Sequence, residues 1–564
     1  MRRSWLRLYG PFLALAIVQA TLVAVAPSRA PDRSQVAAGV NGGPGGGFTS
    51  GPGGSGTNAE GAGVTTPGGG VVGGGGAGGG GGGGSTGNTI TLPSGEVVPA
   101  GDTSHCVGDQ QFDILLVNVR CMPRFAGPNG GATYPGVTED EVLVVFFESE
   151  PNAAVNAVLA PQGLAATEAE LAALDAAAQD FINANYELYG RQVRIVRVQG
   201  NCPTSPPNVP ACKEAARRVT DMHPFLVLWA TPLYAEVFDE WARAGIISIG
   251  GWHFDNNYFT QRRPYRYDVF MDGTQTAEHI AEYYCTKMAN RPADHAGVSI
   301  HSTIGGRNTM RRLGIVTPNI DANVSTANHV AELVAACSDG ADPVVRQYES
   351  RIETAQTQST NTTLALINDK VTTVVCMCDP IAPVFQTQSF TQQNYYPEYL
   401  MAGLGLIDYD LLGRLYEPSQ MQHAFGPSHL QVFLPFEQQD QSRMWRAAGR
   451  EGSTCGSCGL PWAYHAFAAA ILHYTGPNLT PSTVEQTMLN LGRLSNGDVP
   501  GTVGLGLGPN DYTLIDDVKE VYWCSSCPSA IDGRAGAYIP VNGGRRYRLG
   551  QWLAGLDQIP VAPA

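Results

Sequence analysis

Apolar runs and amphipathic segments alternate regularly from about residue 141 onward. The run at 142–147 (VLVVFF) is continuously apolar, as expected of a strand that is buried on both faces of a sheet. After it, Thr167 and Glu170 have the spacing of a helix capping box, and apolar residues then recur at helical spacing as far as Ile182. We therefore predict a strand followed by a helix, which Gly190 ends.

The same strand-then-helix pattern repeats with short connections. Further strands are predicted at 193–198, 225–229, 246–249, 312–317, 344–348, 371–377 and 399–404. Helices are predicted between them at 212–222, 234–244, 275–288, 328–337 and 357–369. Such alternation builds a parallel sheet with helices on both faces. The sequence therefore predicts an α/β fold with two successive units, together with an inserted loop at 302–310.

The segment before the first strand has the composition of an export signal followed by a linker. Basic residues at the start precede an apolar run over 11–27, and a small-x-small cleavage site follows at 28–30. Residues 1–30 are predicted to be a signal peptide or an uncleaved signal anchor. Residues 31–100, rich in glycine, are predicted to be a disordered linker that holds the domain away from a membrane or cell wall. The alternative is an exposed tail without a selected length.

Charge and length narrow the classes of function. The 564-residue chain carries a net charge of −15, with 50 acidic and 35 basic residues. It is long enough for a large core and two lobes. An acidic exported protein is a poor candidate for binding nucleic acid or anionic lipid, so we expect neither partner.

The cysteines indicate disulfide bonds. There are 12, an even number, in a chain that is predicted to be exported. Proximity in sequence suggests the pairs Cys106–Cys121, Cys202–Cys212, Cys455–Cys458 and Cys524–Cys527. The last two pairs are CxxC motifs. A zinc site built from both motifs is the alternative, but the motifs are far apart in sequence and no histidine lies near them. Cys376 and Cys378 are either free buried thiols or partners of other cysteines.

Four stretches together resemble the type I periplasmic solute-binding proteins, in particular the branched-chain amino acid-binding (leucine-binding-protein-like) branch of the ABC transporter substrate-binding proteins. GVTEDEVLVV at 136–145 is similar to the family's opening, and GRQVRIVRVQGNCPTSPPNVPACKEAARRV at 190–219 to its second strand, cysteine-closed loop and second helix. AGIISIGG at 244–251 resembles the strand that leads to the ligand loop, and RLGIVT at 312–317 resembles the strand that opens the second lobe. Their order and spacing carry the resemblance.

The resemblance implies two Rossmann-like lobes with parallel sheets, joined by three hinge strands and closing over a small molecule in the cleft between them. On this basis we divide the remaining chain into five parts. They are a disulfide-linked N-terminal extension (101–135), the first part of lobe 1 (136–268), lobe 2 (269–408), a return to lobe 1 (409–509) and a C-terminal aromatic hairpin (510–564).

Candidate ligand-binding residues in lobe 1 come from the loops after its third and fourth strands. Thr231 matches a Ser or Thr that binds the ligand carboxylate in the family. Gly251, Trp252 and His253 stand where the family usually offers a Ser or Thr, and this departure suggests a flatter or more aromatic ligand. The alternative is that Trp252 packs under a helix and His253 lies in a solvated turn.

Lobe 2 supplies the other candidates. Asn319, or Asp321 beside it, follows RLGIVT, where the family often has a tyrosine-bearing loop. Asp379 is predicted to bind an ammonium group, with a helix cap as the alternative. Gly403 occupies the place where the family carries an acid, a second departure for which Asp408 is a weak substitute.

Catalytic signatures are missing from the sequence. It contains no GxSxG, HExxH, SxxK or GxxxxGKS/T motif, and GLGLG at 504–508 lacks the strand and helix of a nucleotide-binding loop. We expect no enzyme activity, no cofactor and no bound metal.

The predicted function is capture of an amino acid, an amide or a related small molecule by a secreted or surface-tethered protein, for an ABC-type importer with a membrane permease. The alternatives are an exported sensory or scaffold protein, or an enzyme.

Overall fold

The computed structural model describes residues 89–203, 207–229, 234–251, 254–340, 342–402 and 404–552. In these ranges, none of the helices is long and apolar enough to cross a membrane. The strands in chain order are β1 (Thr89–Thr91), β2 (Val97–Pro99), β3 (Glu141–Glu150), β4 (Gln192–Pro203), β5 (Leu226–Leu228), β6 (Ile247–Ile249), β7 (Arg266–Tyr267), β8 (Ser299–His301), β9 (Gly305–Gly306), β10 (Leu313–Pro318), β11 (Val344–Tyr348), β12 (Thr373–Cys376), β13 (Glu398–Leu400), β14 (Ala424–Ser428), β15 (Gly492–Asn496), β16 (Gly504–Leu507), β17 (Val518–Pro528), β18 (Ala535–Pro540) and β19 (Arg546–Tyr547).

The α-helices of the described ranges occupy the connections between these strands. In chain order they are α1 (Ala153–Leu159), α2 (Glu168–Asn185), α3 (Val209–Thr220), α4 (Ala235–Arg243), α5 (Asn256–Gln261), α6 (Gly273–Lys287), α7 (Asp321–Ala335), α8 (Ala355–Asn368), α9 (Ala382–Gln392), α10 (Asp410–Gly413), α11 (Pro418–Met421), α12 (Asp440–Ala447), α13 (Gly459–Thr475) and α14 (Pro481–Leu491).

The first lobe is built on a five-stranded parallel sheet in the order β4–β3–β5–β6–β7. Residues 142–147 of the inner strand β3 are all buried, because neighbouring layers cover both faces of the sheet. This is why the sequence there is continuously apolar instead of alternating. The predicted α/β fold with parallel sheets is confirmed.

The second lobe has a larger sheet, in which β11–β10–β12–β13–β14 are parallel and β17 and β18 follow antiparallel. The predicted end of lobe 2 at residue 408 differs from the structure, since β14 still belongs to this sheet. Its sequence AFGPS contains glycine and proline, which are depleted in strands, so no strand was predicted there from the sequence. The predicted C-terminal hairpin is β17–β18, which extends this same sheet.

The return to lobe 1 follows β14 and consists of α12, α13 and α14. The Trp462 ring of α13 packs edge-on against Phe181 of α2 at 5.8 Å. His465 Nε2 lies 2.9 Å from Asp175 Oδ1 of the same lobe-1 helix. The long apolar helix α13 is thereby fixed to the first lobe.

The hinge contains paired backbone segments that cross between the lobes. The N–H of Asp268 donates to the carbonyl of Tyr512 at 3.0 Å, and the N–H of Leu514 donates back to the carbonyl of Asp268 at 3.0 Å. A third hydrogen bond joins the N–H of Ile515 to the carbonyl of Val269 at 3.0 Å. These bonds tie the crossing after β7 to the crossing that leads into β17.

The last part of the predicted linker is ordered. Residues 31–88 of that linker, like the predicted signal at 1–30, lie outside the described residues. Strands β1 and β2 form an antiparallel hairpin within its last part, and Leu92 and Val98 are buried. The prediction of disorder up to residue 100 was therefore wrong for this end, because TITLPSGEVVP carries apolar residues on either side of a turn at Gly95.

All four disulfides predicted from proximity in sequence are confirmed. The remaining cysteines form Cys285–Cys337 and Cys376–Cys378, and no described cysteine is free. Cys376 and Cys378 therefore pair with each other, which corrects the expectation of free thiols or of other partners. Each CxxC motif closes on itself, so its sulfur atoms are not available for the alternative zinc site.

The capping box predicted at the start of α2 is present. Thr167 Oγ1 accepts a hydrogen bond from the N–H of Glu170 at 3.2 Å, and Glu170 Oε2 accepts one from the N–H of Thr167 at 2.8 Å. We expect Thr167→Ala to lower the free energy of unfolding by about 1 kcal/mol, because the N–H of Glu170 loses its acceptor and the Glu170 carboxylate loses the hydroxyl that donates to it at 2.7 Å. Urea unfolding followed by circular dichroism measures this. Thr167→Ser is the matched control and should stay close to the wild type.

Candidate functional site

A cavity of about 470 Å³ lies between the two lobes, at the carboxyl ends of both parallel sheets. Lobe 1 lines it with the end of β3 and the segment around α1, and lobe 2 lines it with the ends of β10, β11 and β12. Ligands of open α/β sheets bind beyond the carboxyl ends of the strands, and pockets of roughly 300–1,000 Å³ hold small molecules. We call this cavity the cleft. Polar side chains in its lining include Glu148, Gln199, Tyr348, Ser350, Arg351 and Gln358.

The lobe-1 wall of the cleft contains a network of ion pairs around Arg197. The guanidinium of Arg197 donates to both carboxylate oxygens of Asp175, at 2.7 and 2.8 Å, and to Glu148 Oε2 at 2.9 Å. Burial alone would raise the pKa of Asp175, but His465 and Arg197 more than offset this and lower it. The guanidinium also lies 4.3 Å from the ring centroid of Phe146. These contacts hold Arg197 in one position at the edge of the cleft.

The lobe-2 wall is organised by Asp379 and Tyr348. The Tyr348 hydroxyl donates to Asp379 Oδ2 at 2.7 Å, and the other carboxylate oxygen accepts from the N–H groups of Ile381 and Ala382 at 3.0 Å. Burial, and then the charge of Asp379, raise the pKa of Tyr348 well above its usual range, so the phenol remains a donor. Asp379 thus orders the turn from β12 into α9, which is the alternative role foreseen for it.

The lining of the cleft carries more carboxylates than cations. Its acidic residues are Glu148, Glu150, Glu168, Glu349 and Asp379, and its basic residues are Arg197 and Arg351. Asp175 and Glu148 already neutralise Arg197. The electrostatic environment therefore favours a ligand with a cationic or neutral polar group over a simple anion.

The structure brings only part of the predicted ligand-binding set into this cleft. Asp379 lines it. Asn319 is exposed at the end of β10, where its N–H donates to the carbonyl of Tyr348 at 2.7 Å, and its side chain is not part of the lining. Four candidates lie outside the described residues, and their roles remain predictions: Thr231, Trp252, His253 and Gly403.

Gly251 lies in a tight turn beside the buried Arg266 and has a φ of 93°. A Cβ atom on Gly251 would come within 2.6 Å of the Arg266 guanidinium and of the Phe254 ring. Only glycine therefore fits this position, where the family offers a hydroxyl residue. Arg266 also donates to the carbonyl of Gly250. The described part of this loop is thus packed against an arginine, and Gly251 is not in the lining of the cleft.

Sequence reasoning missed the residues at the ends of β3 and β11. Glu148 directly follows the apolar run of β3, and Ser350 lies two residues after the end of β11, placements that would have indicated the edge of a cleft. Arg197 had a second signal, since it is a charged residue within the strand RIVRVQ, which is otherwise mostly apolar. The described residues contain no cluster of His, Cys, Asp and Glu that could hold a metal ion.

No protein-family model matches the chain, and no curated protein matches it significantly in sequence. Solved structures do resemble it. A fatty acid ABC transporter substrate-binding protein from Thermomonospora curvata is 12% identical, with a TM-score of 0.52, over 77% of this chain and 99% of that one. An ABC transporter substrate-binding protein from Aeropyrum pernix is 11% identical, with a TM-score of 0.50, over 73% and 96%.

A possible leucine/isoleucine/valine-binding protein from Rhodopirellula baltica SH 1 is 12% identical, with a TM-score of 0.48, over 71% of this chain and 96% of that one. At such identities a likeness concerns the fold alone. The chain has the two-lobed α/β fold of the type I periplasmic binding proteins, as the sequence resemblance implied.

Proposed function

We propose that the protein is an exported solute-binding protein that captures a small molecule in the cleft and delivers it to an ABC-type importer. The observation that carries the proposal is the cleft itself, which both lobes line at the carboxyl ends of their sheets with fixed polar groups. Two structures with this fold and a TM-score of at least 0.5 are ABC transporter substrate-binding proteins, which supports binding over catalysis. A predicted signal at 1–30 and a membrane permease complete the proposal.

The chemistry of the ligand is constrained by the charges of the cleft. Its surplus of carboxylates favours an ammonium group or a neutral polar group, which agrees with an amino acid, an amide or a related compound. Asp379 contributes its charge, although its oxygens already accept hydrogen bonds from lobe 2. A ligand carboxylate would have to be bound elsewhere, and Thr231 remains the predicted residue.

Thermal unfolding of the protein with a panel of amino acids, amides, short peptides and aromatic acids tests the proposal. A ligand at 100 times its dissociation constant should add about 2.7 kcal/mol to the free energy of unfolding and raise the midpoint. We expect Ala355→Trp to abolish the shift, because Ala355 lines the cleft and an indole there would occupy part of the space that the ligand needs. Thr231→Ala should weaken ligands that carry a carboxylate.

The matched control is Ala176→Trp, which places the same side chain at an exposed position of α2, two turns beyond Glu168 and outside the lining of the cleft. This variant should keep the full shift. No shift with any compound, or a shift that Ala355→Trp leaves unchanged, would contradict capture of a solute in the cleft. The sensory or scaffold alternative would then be favoured.

A further inference from the structure

A second cavity, of about 480 Å³, lies behind the cleft. We call it the hinge cavity, because hinge residues form one side of it. The N-terminal extension and helix α13 form other sides. Its lining is predominantly apolar, with Leu115 from the extension, Phe270, Leu430 and Ile515 from the hinge, and Phe467 from α13.

Helix α13 leaves this space open through its small residues. Ala463, Ala466 and Ala470 lie on one face of the helix, at helical spacing, and all three line the hinge cavity. Larger side chains at these positions would fill it. The cavity is therefore a direct consequence of these alanines, in a helix that also carries large side chains such as Trp462 and Phe467.

The hinge cavity adjoins the cleft. Six residues line both spaces: Leu159, Leu164, Pro380, Leu406, Ser457 and Leu460. Leu159 and Leu164 belong to lobe 1 but pack against the core of lobe 2, and Pro380 and Leu406 belong to lobe 2. A mostly apolar constriction made by both lobes thus separates the cleft, whose lining carries several charged side chains, from the hinge cavity, whose lining carries few. Movement of the lobes would change its width.

The backbone at the constriction is strained. Leu406 has a φ of 59°, in the left-handed region, which costs a non-glycine residue of order 1 kcal/mol or more. Its neighbour Gly405 also has a φ of 59°, and a Cβ atom there would come within 2.4 Å of the Cys378 carbonyl oxygen. This turn presents the Leu406 side chain to both cavities.

The ionisable groups of the hinge cavity do not make it a site for a charged molecule. Burial lowers the pKa of His429 to about 3, so its imidazole is neutral. Burial raises the pKa of Asp440 to about 6, so its carboxylate is mostly ionised at pH 7, but Oδ1 already accepts a hydrogen bond from the N–H of Leu116 at 2.7 Å. An apolar cavity of ~150 Å³ takes up benzene, so this one has room for roughly twelve or more carbon atoms.

We propose that the ligand is an amphiphile, whose polar end lies in the cleft while its aliphatic chain passes the constriction and fills the hinge cavity. This inference rests on the proposed function, since it assumes that the cleft binds the polar end. It assigns the two adjoining spaces to the two halves of one molecule. The constriction is then the point at which the chain leaves the charged side chains of the cleft.

A series of probes with one polar end and increasing chain length tests this proposal. We suggest 2-aminoalkanoic acids and n-alkanamides of 6 to 14 carbons, titrated into the delipidated full-length protein by calorimetry below their critical micelle concentrations. Each buried methylene should strengthen binding roughly fourfold, until the chain fills the cavity. Solvent extraction of undelipidated protein, followed by mass spectrometry, should release a long-chain amphiphile.

Ala466→Trp is the variant that blocks the hinge cavity, and Ala463→Leu is a smaller obstruction in case the indole prevents folding. Both should remove the gain with chain length while the six-carbon probes bind as to the wild type. The control Ala176→Trp adds an indole on the surface, outside the lining of both spaces, and should keep the gain. Circular dichroism establishes that each variant is folded.

The outcomes separate the two proposals. Binding that strengthens with chain length, and loses this gain in Ala466→Trp or Ala463→Leu, supports the amphiphile. Binding of short and long probes with equal affinity, unchanged in both variants, overturns the amphiphile and leaves solute capture in place. If no probe and no compound of the solute panel binds, and extraction yields no amphiphile, both proposals fail.

Discussion

Replacement of Arg311 by methionine is expected to lower the free energy of unfolding by about 3–5 kcal/mol, because it leaves the carboxylate of Glu398 buried without its cation. Arg311 donates to both oxygens of Glu398, at 2.7 and 2.8 Å, and both side chains are almost completely buried. Burial alone would lower the pKa of Arg311, but Glu398 more than offsets this and raises it. In the variant Glu398 keeps the Thr373 hydroxyl at 2.6 Å and the His295 N–H at 3.1 Å.

A double-mutant cycle measures the interaction. Arg311→Met with Glu398→Leu removes both charges, and such replacements of buried pairs are often close to neutral. The double variant should therefore recover much of the stability that Arg311→Met loses in urea unfolding. If the two single losses simply add, Glu398 is not stabilised by Arg311 and the explanation fails.

The position of the Arg311–Glu398 pair also predicts that ligand affinity should not change in Arg311→Met. Arg311 precedes β10 and Glu398 begins β13, so the pair lies at the amino ends of these strands. The cleft lies at the opposite, carboxyl ends. Ligand affinity of the folded fraction of Arg311→Met should therefore equal that of the wild type.

Most of the secondary structure follows from local sequence signals. Buried parallel strands such as β3 and β5 have apolar runs in the sequence, and the helix α2 has a capping box at its start. The two parallel sheets could also be predicted, because strands separated by helices pair in parallel. Strand β14 has no such signal, since it is short and contains glycine and proline. It is a strand because β13 and β17 pair with it on either side.

Contacts between distant residues leave no pattern in a single sequence. Cys285 and Cys337 are 52 residues apart and meet only because α6 and α7 pack together. Neighbouring cysteines were paired correctly because short loops bring them together. The CxxC spacing also fits zinc locally, but the long separation of the two motifs and the lack of a nearby histidine already favoured disulfides, which the structure confirms.

The cleft was placed correctly at the carboxyl ends of the strands, but its residues were only partly predicted. Asp379 was a candidate because it follows the predicted strand VTTVVCM, and it does line the cleft, while its role as the partner of an ammonium group stays a prediction. Its bonding to Tyr348 could not be foreseen, because the two residues come from different strands of the sheet. The hinge cavity has even less of a signal, since it results from small side chains on α13 meeting an extension that the family resemblance did not cover.

Asp268→Asn is expected to remove a pH dependence of stability that originates in the hinge. Burial raises the pKa of Asp268 from 3.8 to about 7, against the opposing charge of Arg266. The folded protein therefore keeps a proton that the unfolded chain has lost, and stability falls as pH rises from about 4 through 7. The slope is roughly 1.4 kcal/mol per pH unit, and ionisation of Asp268 costs roughly 4 kcal/mol in full.

Urea unfolding at several pH values between 5 and 8 measures this effect as the difference between variant and wild type. Asparagine keeps an oxygen that can accept from the Tyr464 hydroxyl and the Val269 N–H, which bind Asp268 Oδ1 at 3.0 and 2.6 Å. The variant should gain stability relative to the wild type up to pH 7 and no further beyond it. Asp272→Asn is the matched comparison, and its gain should end near pH 6, because burial raises the pKa of Asp272 to about 6. A constant difference between Asp268→Asn and the wild type would show that another hinge carboxyl holds the proton, and Asp511, whose pKa burial raises to about 7, would be the next residue to replace.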